Sequence, residues 1–268
     1  MGVDLFFVLS GLLITGIPIN SENHPRYLRN FYIRRSPRIL PLFCGVLLIV
    51  VVLTPVLHLE WHRGHIAYLL NCRNIALIVN PALEQVGPAV FLGQFCSLAV
   101  QEQYYMLWRL AIWLLRDERK IMRLCLVLIA CSIQPRIALI WLLPSNAALD
   151  LINKALPTHW DGLLLGSWLT PAMRRWPLEE LRRRTQWLVW LAVAALLGVG
   201  VYAHSLGFHN SAMETVGFTA IPIVFAGLLL RCFVPCAVLR FFSLRFLRFL
   251  GRYSYGIYIY HLLFLGRG

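Results

Sequence analysis

Acidic residues are scarce in this chain. Only 12 Asp and Glu stand against 25 Lys and Arg, and charged residues make up 14% of the 268 positions, where soluble domains carry roughly 25%. A water-soluble surface is excluded for most of its length. Repeats, low-complexity tracts and an appended soluble domain are also missing, so residues 1–268 read as one membrane domain. The chain enters an apolar helix at Met1-Gly-Val-Asp with neither the basic leader nor the cleavage site of a signal peptide. With an equally abrupt end, this leads us to expect a fragment lacking terminal helices. The seven cysteines suggest no metal centre, because Cys232 and Cys236 have no second ligand pair. Cys72 and Cys96 fall on one side of the expected topology, which leaves a disulfide open.

What the chain has in quantity is apolar length. Mean hydropathy is +0.67 and 59% of residues are hydrophobic. Uncharged runs at 5–21, 39–59, 186–213 and 215–230 are close to or beyond the roughly 18 residues of a spanning helix. Shorter or lightly charged runs lie at 95–115, 121–143, 158–173 and 253–265. They are continuous rather than alternating, which excludes a transmembrane barrel. The expected fold is all-α: a polytopic transmembrane bundle of about eight spans, with the lipid bilayer as its surroundings.

The net charge of +13 follows topology rather than a nucleic-acid partner. Nineteen of the 25 basic residues cluster at 26–38, 116–123, 174–184 and 231–252, while the intervening connections hold only Arg63, Arg73 and Lys154. That alternation is the positive-inside pattern. It places the basic loops in the cytoplasm and Met1 on the opposite side.

Within this apolar frame a few polar residues stand out. Glu102 lies in SLAVQEQYYMLW (97–108), and a charge at membrane depth costs a few kcal/mol or more, so it either lines a polar cavity or pairs with Arg109 two turns along. Asp4 opens the first span, where a carboxylate also suits a helix N-terminus. Ser10 follows six residues later. Ser254, Tyr258 and His261 share one helical face. His261, the only histidine expected inside a span, suits proton transfer or simple packing. On energetic grounds Asp4, Glu102 and His261 are expected to face one interior cavity. Arg34, Arg35 and Arg38 stand where a basic loop meets the next span, with Pro41 expected to break the chain there. They could hold phosphate bidentately or only set orientation. Gly11 and Gly16 would let another helix approach closely.

Four blocks then act together: GVDLFFVLSGLLIT (2–15), FYIRRSPRILP (31–41), SLAVQEQYYMLW (97–108) and LGRYSYGIYIYHL (250–262). In order and spacing they resemble the acyltransferase-3 family of integral-membrane acyltransferases, and THWDGLLLG (158–166) is similar to its RxDxLLxG segment. The resemblance implies transfer of an acyl, usually acetyl, group from cytoplasmic acyl-CoA to an extracytoplasmic carbohydrate hydroxyl, in a bacterial cytoplasmic membrane. Acyl-CoA is then a donor substrate, the partner is an envelope or surface glycan, and no permanently bound cofactor or metal is expected. Glu102, His261 and Asp4 become the catalytic candidates, and Arg34, Arg35 and Arg38 the donor-phosphate candidates. Ser10, Gln101, Tyr105, Asp161, Ser254, Tyr255 and Tyr258 would line the polar cavity.

The chain departs from the pattern in places. The family's catalytic first-helix histidine has no counterpart here. Gln101 replaces the first glutamate of the third block, Cys96 replaces its tryptophan, and the arginine near Asp161 gives way to Thr158-His-Trp160. Glutamine cannot accept a proton as a carboxylate does. Two alternatives therefore stand beside the enzyme: an inactive relative that keeps the bundle, and a multispanning transporter, for which intramembrane charges also suit but no inverted repeat is visible.

Overall fold

In the computed structural model of the chain, the described residues are 2–21, 27–61, 65–84, 92–93, 95–203, 212–234 and 237–265. They contain no strand and form twelve α-helices: α1 (Gly2–Ser21), α2 (Tyr27–Leu57), α3 (Ile66–Leu69), α4 (Arg73–Val79), α5 (Phe95–Leu115), α6 (Glu118–Leu142), α7 (Ser145–Lys154), α8 (Asp161–Arg175), α9 (Leu178–Ala203), α10 (Phe218–Cys232), α11 (Ala237–Phe242) and α12 (Arg245–Leu265). A π-helical turn, Met213–Gly217, leads into α10.

Local chemistry sets several of these boundaries. The Asp117 side chain accepts from Arg119 N at 2.8 Å and caps α6, with Glu118 in the first turn, where negative charge meets the positive end of the helix dipole. Glu179 and Glu180 open α9 likewise and pair with Arg182 and Arg184 one turn on. Pro41 was expected to break the chain, yet α2 runs unbroken through it. Pro135, Pro171 and Pro222 likewise lie inside α6, α8 and α10. In apolar surroundings a break would leave several backbone groups unbonded, whereas a continuous helix loses one bond that local adjustment can recover.

Among the described residues, three helices are long and apolar enough to cross a membrane: 118–142, 178–202 and 213–232. Shorter apolar helices cover 2–16 and 41–53. Length and composition thus support a multi-pass integral membrane protein, while the count of eight spans goes beyond these five segments. The three remaining expected spans are polar-laced or short. The α5 helix carries Glu102 and Arg109, α8 has 15 residues, and α12 carries Arg245, Arg248 and Arg252. Large apolar side chains stand exposed along α6 and α9, among them Trp141, Leu142, Trp187, Trp190 and Leu197, as lipid-facing helices require.

The chain divides into two compact units, Met1–Asn20 with Val100–Arg240, and Ser21–Ala99 with Phe241–Gly268. The first packs Val8, Met122, Leu169, Ala172, Leu181, Ala226 and Leu230 into its core. The second buries Phe43, Val46, Val50, Tyr68, Phe95, Leu98 and Ile259, with Phe43 and Phe95 stacked at 4.6 Å between ring centroids. Arg73 is buried there, donating to Leu92 O and lying over the Tyr68 ring. Cys72 and Cys96 are both free thiols, so the disulfide left open by the sequence is not formed.

Candidate active site

The first unit is organised by a glycine-mediated crossing of α1 and α8. A Cβ built on Gly11 would lie 1.9 Å from Leu163 O, and one on Gly166 would lie 2.0 Å from Val8 O. Gly162 packs on Phe7, where a Cβ would come within 3.0 Å. The two backbones touch, which only residues without side chains permit. Gly16, by contrast, has ordinary room beside Thr170. Close approach also lets α8 hydroxyls bond to α1 carbonyls: Ser167 donates to Gly11 O at 3.2 Å and Thr170 to Leu12 O at 2.8 Å.

This crossing sets the start of α1 beside the start of α8. Asp161, in the first turn of α8, pairs with Arg136 Nη2 of α6 at 2.9 Å, both side chains essentially fully buried. Ser132 donates to its Oδ1 at 2.7 Å and Thr219 to its Oδ2 at 2.5 Å. Arg136 donates onward through Nε to Thr158 O at 2.7 Å and through Nη1 to Thr219 Oγ1 at 3.0 Å. A buried ion pair is costly unless further hydrogen bonds support it, and here Ser132, Thr158 and Thr219 supply them. The sequence suggested a missing arginine near Asp161; the charge is supplied instead from α6.

Beside this network, His159 Nε2 faces Asp4 Oδ1 at 3.7 Å, with side-chain exposures of 19% and 5%. This is ion-pair separation, beyond hydrogen-bond reach. The imidazole stacks on Phe218 at 4.2 Å and meets Phe7 edge-on at 5.6 Å, while Arg136 lies 5.6 Å from the same Phe218 ring. Further along, buried Glu214 in the π-helical turn accepts from Asn153 of α7.

The α5 helix adds a ladder of polar contacts. Gln101 donates to Ser10 Oγ at 2.8 Å and to Tyr105 OH, so three of the expected cavity residues do come together. Tyr104 and Ser167 share a hydroxyl bond at 2.8 Å, and Trp108 Nε1 donates to Thr15 at 2.8 Å. Gln101 thus acts as a buried donor, a role an ionised glutamate could not fill. Glu102 is half-buried and Arg109 buried on the same helix.

His261 belongs to the second unit, whereas Asp4 and Glu102 belong to the first. Within the second unit, Tyr258 and Ser97 share a hydroxyl bond at 2.5 Å, and His261 Nδ1 lies 2.6 Å from Tyr258 O. Ser254 is exposed and donates to Gly251 O of its own helix at 2.9 Å. Tyr255 packs half-buried against the apolar core. The side chains of Arg34, Arg35 and Arg38 lie outside the described residues.

Two residues of this cluster escaped the sequence reading. Arg136 interrupts the run 121–143 and carried the same signal as Glu102, a charge inside an apolar segment. His159 stands at the arginine position of the RxDxLLxG-like segment, and its partner, Asp4, is 155 residues away in sequence.

Comparison with known proteins adds independent findings. The acyltransferase-3 family model, described as an acyltransferase domain, matches residues 1–266. Peptidoglycan O-acetyltransferase OatA of Listeria monocytogenes is 26% identical over 97% of the chain and 44% of its own length. The O-acetyltransferase OatA of Staphylococcus aureus strain NCTC 8325 is 26% identical over 97% of the chain and 45% of its own length. The chain thus spans under half the length of these relatives. No solved structure matches it.

Proposed function

The chain belongs to the acyltransferase-3 family, and on that premise we propose that it is the membrane domain of an O-acetyltransferase that esterifies a hydroxyl of a peptidoglycan-type glycan. The observation that carries this reading is the family match across residues 1–266, joined by relatives named as O-acetyltransferases, the Listeria one as a peptidoglycan O-acetyltransferase. The donor is acyl-CoA, most simply acetyl-CoA, approaching from the cytoplasm. Arg34, Arg35 and Arg38 form the mouth that receives its phosphates, since guanidinium binds phosphate bidentately. The bundle crosses the bacterial cytoplasmic membrane about eight times, with its basic loops inside. A donor arriving from one side and a glycan from the other meet at a polar centre, for which Asp4, Glu102 and His261 are the sequence candidates.

The test is transfer of label from acetyl-CoA in membranes holding the full-length gene product, with muropeptide oligosaccharide as acceptor. Base-labile label in the glycan is expected. Donor consumption without glycan label would overturn the acceptor assignment. A catalytically silent relative is the second reading, and Gln101 favours it: its bonds to Ser10 and Tyr105 make it a structural bridge where the family pattern has a carboxylate.

A further inference from the structure

We propose that the opening turns of α12 form a binding surface for anionic phospholipid, with Arg245, Arg248 and Arg252 meeting headgroup phosphates and Phe246, Phe249 and Tyr253 lying among the acyl chains. The proposal does not depend on the acyl-transfer reading. It starts from charge that the chain leaves unbalanced. Between positions 215 and 268 there is no Asp or Glu, and no ion pair among the described residues involves Arg245, Arg248 or Arg252. The basic stretch at 174–184 behaves differently. There Arg174 pairs with Glu118 at 3.1 Å, Arg182 with Glu179 at 3.4 Å and Arg184 with Glu180 at 2.5 Å. Orientation in the membrane asks only for basic residues on one side, and that stretch supplies them with acidic partners attached. The arginines of α12 leave their counter-charge to the surroundings.

Helical spacing sorts the exposed residues into two adjoining stripes. At about 100° per residue, Arg245, Arg248 and Arg252 fall within an arc of about 60°, and Phe246, Phe249, Leu250, Tyr253 and Ile257 within a neighbouring arc of about 100°. All of these side chains are exposed, Phe246 by 69% and Phe249 by 59%. The Phe249 and Tyr253 rings lie 4.8 Å apart between centroids, so the apolar stripe is continuous. Farther along, α12 packs through Tyr255, Ile259 and Tyr260 against the core of its unit. The two-striped turns precede that packed stretch. A helix facing only hydrocarbon needs no arginine stripe, and a site for a soluble phosphate needs no aromatic one. Side by side, the two match an amphiphile: guanidinium holds phosphate bidentately, and aromatic rings settle at the headgroup boundary. Each arginine near an anionic lipid surface strengthens association about fivefold.

The test titrates purified full-length protein, in neutral-detergent micelles, with dansyl-labelled phosphatidylglycerol and separately with dansyl-labelled phosphatidylcholine, reading energy transfer from tryptophan. Three triple variants are compared after thermal unfolding confirms their folds: Gln at 245, 248 and 252, Lys at the same positions, and Arg174→Gln with Arg182→Gln and Arg184→Gln, which removes equal charge elsewhere. The wild type should prefer phosphatidylglycerol. That preference should fall about 10²-fold with Gln on α12, far less with Lys, and little in the 174–184 control. Phe246→Ser with Phe249→Ser should weaken phosphatidylglycerol binding although every arginine remains. If the triple Gln variant fails to fold, Arg248→Gln alone should show a fall of about fivefold. Equal preference in the wild type and the α12 Gln variant overturns the proposal, and means that another part of the full-length protein covers this face. An equal fall in the 174–184 control also overturns it, because net charge rather than this surface is then what the lipid reads. Displacement of the lipid by glycerol 3-phosphate or CoA at matching concentration overturns it in favour of a soluble phosphate ester. Acetyl transfer enters none of these readouts, so the acyltransferase reading stands or falls by its own assay.

Discussion

Replacing Gly166 by Ala tests the packing on which the whole candidate site depends. The added methyl would sit 2.0 Å from Val8 O, with Leu12 N at 2.8 Å and Val8 C at 2.9 Å. Every one of these atoms is α1 backbone, so no side chain can rotate away. Bringing the closest contact back to the 3.0 Å limit of real Cβ contacts requires the helices to part by about 1 Å at the crossing. Interiors are too closely packed to absorb that without loss, and overpacking of this kind costs typically 1–3 kcal/mol, with backbone clashes at the upper end. Parting would also weaken the bonds from Ser167 to Gly11 O and from Thr170 to Leu12 O, and would take Asp4 and His159 beyond ion-pair range from their present 3.7 Å. Gly198→Ala is the control. It lies on α9 with nothing within 4 Å of a built Cβ, and Ala is the better helix former by up to about 1 kcal/mol. Unfolding in mixed detergent micelles, followed by tryptophan fluorescence, should show Gly166→Ala destabilised by at least about 2 kcal/mol relative to Gly198→Ala. Equal midpoints for the two variants would refute the close crossing.

Asp161→Asn leaves Arg136 buried and uncompensated and should cost about 3–5 kcal/mol, whereas Arg136→Met combined with Asp161→Leu should recover most of that loss; a double variant no more stable than Asp161→Asn would show that the pair does more than satisfy itself. Arg35→Gln with Arg38→Gln should weaken CoA binding by about 1.5–3 kcal/mol per lost charged bond, and Lys should restore only part of it. Unchanged affinity by calorimetry would return those arginines to orientation signals. Cysteines introduced at 58–61 should react with an impermeant maleimide added outside, and those at 175–184 should not; the reverse pattern would invert the assigned topology.

The sequence alone carried the class of molecule, because lipid demands internally bonded, apolar helices and composition records that demand directly. It also carried the family, through blocks whose residues and order survive without coordinates. It named Gly11 and Gly16 for a close helix approach but could not say which would touch: Gly11 lies against the backbone of α8, while Gly16 has room, and Gly166, which lies against the backbone of α1, was not singled out. Pro41 misled for a related reason, since a local rule about proline yields to the cost of breaking a helix in apolar surroundings. The polar network was least legible. Asp161 meets Arg136, and Asp4 meets His159, across separations of 25 and 155 residues. No local periodicity encodes such pairs. Asp4 meets His159 because two glycine-bearing helices, α1 and α8, cross closely enough to align their N-terminal turns, and Asp161 meets Arg136 because α6 packs on α8; only the folded chain decides which charges are brought together.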